Sequence, residues 1–296
     1  MIIDIHAHVY LNPLIKGPGA RTPFLSAVQQ IAVMDAKGVD NAVILPLVNS
    51  VPGSEPQSIG EILQICRNYP GRFIPFCNID PRIGKRNAQI NVDDFRYVLE
   101  QYRDLGCRGL GEVTARIPFD DPAVLALFQA CDEVGFPVTF HTTAPTIDSY
   151  GLVDDIGLPR FERVLKMFPN LKFFGHSQSF WAEIGGDLTL EEKGGYPPGP
   201  VKPGGRLPYL FRTYPNLYGD ISAGSGLNAL RRDPDFGPAF IEEFQDRLLL
   251  GLDYCSTTNN MQHIEWLRQQ NAEGKVSTTA LDKILGQNAC RLLALE

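Results

Sequence analysis

The chain has five histidines, and four of them close short apolar runs. His6 and His8 stand in Asp4-Ile5-His6-Ala7-His8, His141 ends Pro137-Val138-Thr139-Phe140-His141, and His176 ends Leu171-Lys172-Phe173-Phe174-Gly175-His176. A carboxylate, Asp253, ends Leu248-Leu249-Leu250-Gly251-Leu252-Asp253. Histidine is the commonest metal ligand, and carboxylates join it around zinc and related ions. Residues i and i+2 of a strand face the same way, so His6 and His8 can grip one ion together. His141 and Asp253 complete a set that leaves an open position for water, which a metal would make acidic near neutral pH. The expected cofactor is one divalent ion, with zinc favoured by the donors and manganese also compatible.

Strands and helices must carry these residues to one place. Apolar runs predict strands at Met1–His8, Asn41–Val48, Phe73–Asp80, Gly109–Val113, Val138–Thr142, Leu171–His176, Leu217–Ser222 and Leu248–Asp253. Amphipathic stretches predict helices at Ser26–Lys37, Ile59–Asn68, Asp93–Leu105, Pro122–Glu133, Pro159–Met167, Pro238–Gln245 and Asn260–Gln270, with a last one at Asn288–Leu295. Asp121-Pro122 is a start signal, and Gly38, Gly106 and Gly135 are stop signals. Alternation of strand and helix points to an α/β fold, a single distorted (β/α)8 TIM barrel over 1–296 with long mouth-side loops. An open doubly wound sheet is the alternative, but no GxGxxG follows the first strand. Residues 178–206, rich in Gly and Pro, read as an irregular insertion: a candidate lid or oligomer contact.

Barrel enzymes do their chemistry at the C-terminal ends of the strands. Polar residues stand at nearly all of those ends: His6/His8, Asn78/Asp80, Glu112, His141, His176, Asp220/Ser222 and Asp253. Among these, Asp253, His176 and Glu112 are the expected catalytic groups. Arg116 and Arg206 are candidates for binding an acidic substrate, with Arg21 a third, because Arg pairs well with carboxylates. Trp181, with Tyr10 and Phe180, is a candidate apolar wall.

A net charge of -7 disfavours nucleic acid and anionic membranes as partners. No apolar stretch is long enough to cross a bilayer, and the start lacks the pattern of a signal peptide. Six singly spread cysteines read as free thiols in a reducing cytoplasm. Cys255 is set apart, because it lies two residues past Asp253. The expected partner is a small-molecule substrate, with a homodimer as the candidate assembly.

His6-Ala7-His8, the strand-ending His141, Gly175-His176 and Gly251-Leu252-Asp253-Tyr254 resemble the amidohydrolase superfamily. The tail Gly286-Gln287-Asn288-Ala289-Cys290-Arg291-Leu292-Leu293 is similar to the amidohydrolase-related (amidohydrolase 2) branch that includes aminocarboxymuconate-semialdehyde decarboxylase. The resemblance implies His6, His8, His141 and Asp253 as ligands. It makes His176 an acid or base beside the metal, or a ligand to a second ion. The sequence departs at Cys255, where relatives often have Pro, and at Glu112, where binuclear members carry a carboxylated lysine.

The leading expectation is a hydrolase of a small amide, ester or lactone that uses a metal-activated water. A metal-dependent decarboxylase of a small aromatic or unsaturated acid comes second, and a non-catalytic barrel is the remote third. Structural readings compete at several positions. Asp253 could cap a helix, Glu112 could pair with Arg108 or Arg116, Asp4 could orient a ligand histidine, and His263 reads as solvated surface.

Overall fold

The computed structural model describes residues 1–13, 24–48, 56–83 and 91–295. Arg21 lies outside them. Eight strands form the wall: β1 Ile3–Ala7, β2 Asn41–Ile44, β3 Phe73–Pro75, β4 Leu110–Val113, β5 Val138–Thr143, β6 Phe173–His176, β7 Leu217–Asp220 and β8 Leu248–Leu249. Their pairings are all parallel, β1-β2-β3 on one side and β4-β5-β6-β7-β8 on the other. Two seams close the ring. Cys77 bridges to Leu110 between β3 and β4, and Ala7 bridges to Tyr254 between β1 and the chain beyond β8. At the second seam Ile5 N donates to Leu250 O (2.9 Å) and Asp253 N to His6 O (2.9 Å). The result is a closed, distorted TIM barrel, as the strand and helix pattern predicts. The strands are shorter than their apolar runs, because several runs leave the ladder before their polar ends.

Helices cover the outside: α1 Ala27–Lys37, α2 Ile59–Asn68, α3 Val92–Asp104, α4 Pro122–Val134 and α5 Pro159–Met167, followed by Phe236–Phe244 and His263–Ala272. Local sequence sets their ends. Ser26 and Gln29 form a capping box on α1, and Asp121 caps α4 with Pro122 in its first turn. Gly38 and Gly135 end α1 and α4 in the left-handed conformation that glycine allows. The last helix, Asn288–Leu293, continues a wide turn at Lys283–Gln287.

An apolar layer sits beneath the mouth. Ile3, Ile5, Val43, Ile74, Phe174, Tyr218 and Leu249 form one buried cluster, closed from below by Ala289, Leu292 and Leu293 of the last helix. Phe174 shares a strand face with His176, and Tyr218 with Asp220, so the polar ends rise from this apolar floor. A shift in the β1–β2 register between Asp4 and Ala7 lets β1 give Ile3 and Ile5 to the floor and His6 and His8 to the mouth. Burial makes such a floor stiff, since close-packed interiors leave few alternative side-chain positions.

The stretch 178–206 is more ordered than its composition predicts. Short helices occupy Gln178–Trp181 and Leu190–Lys193. Lys193 is fully buried and donates to Glu183 Oε1 (2.6 Å) and Ser179 O (3.3 Å). Among the described residues no helix is long and apolar enough to cross a membrane.

Candidate metal centre

Four histidines and three carboxylates converge at the C-terminal mouth. His6 Nε2 lies 3.1 Å from His8 Nε2, 3.8 Å from Asp253 Oδ1 and 3.9 Å from Glu112 Oε2. His8 Nε2 is 3.5 Å from Glu112 Oε2 and 3.7 Å from Asp253 Oδ1. His176 Nε2 is 3.8 Å from Asp253 Oδ2. The donor atoms of His6, His176 and Asp253 lie within 4.8 Å of one another, as do those of His6, His8 and Glu112, and those of Glu112, His141 and His176.

Outer hydrogen bonds fix which nitrogen of each ring faces inward. His6 Nδ1 is 2.6 Å from Asp220 Oδ2, and His8 Nδ1 is 2.9 Å from Leu45 O. A main-chain carbonyl only accepts, so His8 Nδ1 carries the proton and its Nε2 presents a bare lone pair. The carboxylate likewise assigns the His6 Nδ1 proton to the Asp220 side. Two inward lone pairs at 3.1 Å repel unless a proton or a cation lies between them. Borderline nitrogen and hard oxygen donors, buried and each oriented from behind, are the set that zinc and related divalent ions take. The residues therefore fit a metal ion.

Electrostatics agree with this reading. Among the described residues, the ion-pair partners of Glu112, Asp220 and Asp253 are all histidines. Burial opposes a charge on His6, but the Asp253 and Asp220 carboxylates outweigh it and pull the imidazolium up to about 10. Burial would raise Glu112, yet the His141 imidazole, 2.8 Å away, with His8 and His6, holds it well below the usual carboxylate range. Burial and the neighbouring His6 charge push His176 down to about 4, which keeps its ring neutral.

A relay stands behind His176. Its Nδ1 is 2.8 Å from Ser222 Oγ and 3.6 Å from Asp220 Oδ2, and Ser222 also hydrogen-bonds Asp220. We assign the Nδ1 proton toward Ser222, which leaves Nε2 free to accept a proton at the mouth. Gly251 makes room for this packing, because a Cβ there would lie 2.4 Å from Asp220 Oδ1 and 2.6 Å from Ser222 Cβ.

The remaining candidates fall outside the cluster or at its edge. His141 joins it through Glu112 and His176 rather than through His6, His8 or Asp253. Arg116 leaves Glu112 to the histidines; its exposed guanidinium donates to Ile147 O (3.0 Å) and to Ser149 O. Arg206 donates to Gly157 O (2.8 Å) and to Glu162, and its guanidinium stacks on Tyr209. All three contacts hold the guanidinium within the fold. Trp181 is buried and gives its indole proton to Asp220 O (2.8 Å), bracing β7 rather than lining an open wall. Tyr10 and Phe180 are also buried. Asp4 accepts from His6 N (3.0 Å) and Leu252 N (2.8 Å), tying β1 to the chain after β8.

His263 corrects the expectation of a solvated side chain. It opens the helix His263–Ala272, is fully buried, and bonds through Nε2 to Ala223 O (2.9 Å). The polar neighbours Gln262 and Glu265 hid its inward face. Tyr150, in a polar loop, carries no signal in the sequence alone. Its ring lies 4.3 Å from that of His141, and Gly151, in the left-handed region at φ 118°, allows the approach. A Cβ on Gly151 would come within 2.9 Å of His141 Cδ2.

A closed parallel barrel with a buried His/Asp/Glu cluster at its mouth defines a class of metal-dependent barrel enzymes. The chain belongs to the amidohydrolase family, whose model matches residues 3–295. A search of curated proteins gave no significant match. Solved structures share the fold. A probable 2-pyrone-4,6-dicarboxylic acid hydrolase from Acinetobacter baumannii is 13% identical, with TM-score 0.60 and 99% of each chain covered. The 2,6-dihydroxybenzoate decarboxylase from Rhizobium is 14% identical, with TM-score 0.59 and coverage of 99% of this chain and 98% of that one. A dihydroxybenzoic acid decarboxylase from Polaromonas, with bound manganese, is 14% identical, with TM-score 0.59 and coverage of 99% and 97%.

Proposed function

We propose that the protein is a metal-dependent carboxy-lyase acting on a small aromatic or unsaturated acid. A proton-transfer role rests on His176, backed by Ser222 and Asp220, with its Nε2 3.8 Å from Asp253 in the donor cluster. The observation that favours the lyase over a hydrolase using the same groups is the shared fold of the decarboxylases. His6, His8 and Asp253 would hold the ion, with Glu112 and His141 completing or bracing the set. When bound, the metal would neutralise the substrate's carboxylate or hydroxyl oxygens and orient them. His176 Nε2 would accept a proton from a substrate hydroxyl. It would return that proton to the carbon whose bond to the carboxylate breaks, as that bond's electron pair stays behind and carbon dioxide leaves. No water is consumed overall. General acid–base transfer of this kind contributes about 10²–10⁴-fold.

Support comes from the family and from the two decarboxylases that share the fold. The manganese in one of them speaks for manganese beside zinc as the working ion. The hydrolase reading, first on sequence grounds, now stands second. It is favoured by the probable pyrone-dicarboxylate hydrolase of the same fold, and it uses the same Asp253 and His176 as proton acceptors for a water nucleophile.

The deciding experiment incubates metal-loaded protein with a panel of hydroxybenzoates and with 2-pyrone-4,6-dicarboxylate, in deuterated and in ¹⁸O-labelled water. The lyase predicts carbon dioxide and one deuterium at the vacated carbon. An ¹⁸O atom in an opened product, without carbon dioxide, selects the hydrolase instead.

A further inference from the structure

The donor cluster extends beyond nitrogen and oxygen. Cys255 Sγ lies 3.0 Å from Asp253 Oδ1, the oxygen that faces His8 Nε2 at 3.7 Å. The donor atoms of His8, Asp253 and Cys255 all lie within 4.8 Å of one another, the same span that joins His6, His176 and Asp253. His8 is 4% exposed and has committed its Nδ1 proton to Leu45 O, so its Nε2 lone pair points into this group. The backbone that carries the sulfur is pinned. Asn259 Oδ1 accepts from Cys255 N (3.0 Å) and Ser256 N (2.8 Å), and Asp253 at φ 56° turns the chain so that Cys255 folds back over its carboxylate.

We propose that Cys255 is a thiolate ligand of the ion held by His8 and Asp253. This inference rests on the metal-dependent reading above. Without metal the thiol donates to Asp253; on binding, the S–H proton leaves to solvent and the sulfur pair goes to the cation. A thiolate is a soft donor, and it tilts a nitrogen and oxygen site toward zinc and away from manganese. The site would then favour zinc, whereas a decarboxylase of the same fold holds bound manganese.

X-ray absorption at the zinc edge tests it on the zinc-loaded full chain, as wild type, Cys255→Ser, Cys255→Ala and the control Cys290→Ser. Wild type and the control should show a sulfur scatterer at about 2.3 Å. Both Cys255 variants should lose it while keeping one equivalent of zinc, and their preference for zinc over manganese should fall in competition. A wild-type shell of nitrogen and oxygen alone overturns the sulfur ligand and leaves the metal-dependent reading standing. Wild type that takes up no zinc or manganese overturns both.

Discussion

Asp220 Oδ2 and His6 Nδ1 are 2.6 Å apart, with both side chains fully buried. The carboxylate fixes the ring so that Nε2 meets the other donors, and Ser222 N in turn holds Asp220 Oδ1 at 3.0 Å. One residue thus orients a proposed ligand on β1 and the proposed acid–base group on β6. Partners of this kind set ligand orientation and basicity.

Asp220→Asn should therefore weaken metal binding by about 10–100-fold while leaving the barrel folded. Competition with a chromophoric chelator measures this, with circular dichroism as the check on folding. An unchanged affinity would remove Asp220 from the account.

His176→Gln should lower turnover by about 10²–10⁴-fold with metal content unchanged, as expected for a proton-transfer group. Ser222→Ala should give a smaller loss of the same kind, because it removes the relay but not the ring. Stoichiometric loss of metal in His176→Gln would make His176 a ligand rather than an acid–base residue.

The candidate site is legible in the sequence because its donors close apolar runs, even where the strand itself runs on to Thr143 past His141 or stops at Leu249 before Asp253. His6, His141, His176 and Asp253 each close an apolar run, and a buried strand has no use for an imidazole at its end unless the imidazole acts there. Partners that come from other strands are less visible. Asp220 stands at a strand end in sequence, but its claim on His6, 214 positions away, exists only once the barrel closes. His263 was misread because a helix's first residue can face the core whatever its neighbours' polarity. The helix Ala223–Arg231 was missed for a related reason. Gly224 and Gly226 weaken its propensity, yet a Cβ on Gly226 would lie 2.1 Å from Ile221 O, so close packing demands the glycine. Tertiary contact overrides local preference at each of these positions.

His263 should make the fold acid-sensitive. Burial holds its folded pKa down at about 4, below the ordinary 6.5. Its contribution is complete above pH 6.5 and is lost as pH falls through 4, because the unfolded chain binds the proton first. The loss is on the order of 3 kcal/mol. His263→Gln keeps a donor for Ala223 O but does not titrate. The stability difference between wild type and variant should shrink across that window in urea unfolding. Parallel pH profiles would show that His263 does not titrate in this way.

The Lys193–Glu183 pair bears on whether 178–206 swings. Both side chains are buried, their charged atoms are 2.6 Å apart, and Glu183 also accepts from Gly157 N (2.9 Å) in the loop before α5. A buried pair is weak evidence of net stability, but removing one partner strands the other charge. Lys193→Met should cost about 3–5 kcal/mol. Lys193→Met combined with Glu183→Gln should recover much of that loss, because no charge is then left unpaired. Limited proteolysis of the single variant should open cleavage sites within 178–206 that wild type resists. A segment that opens freely as a lid predicts the reverse: wild type cut readily there, and little stability lost in either variant.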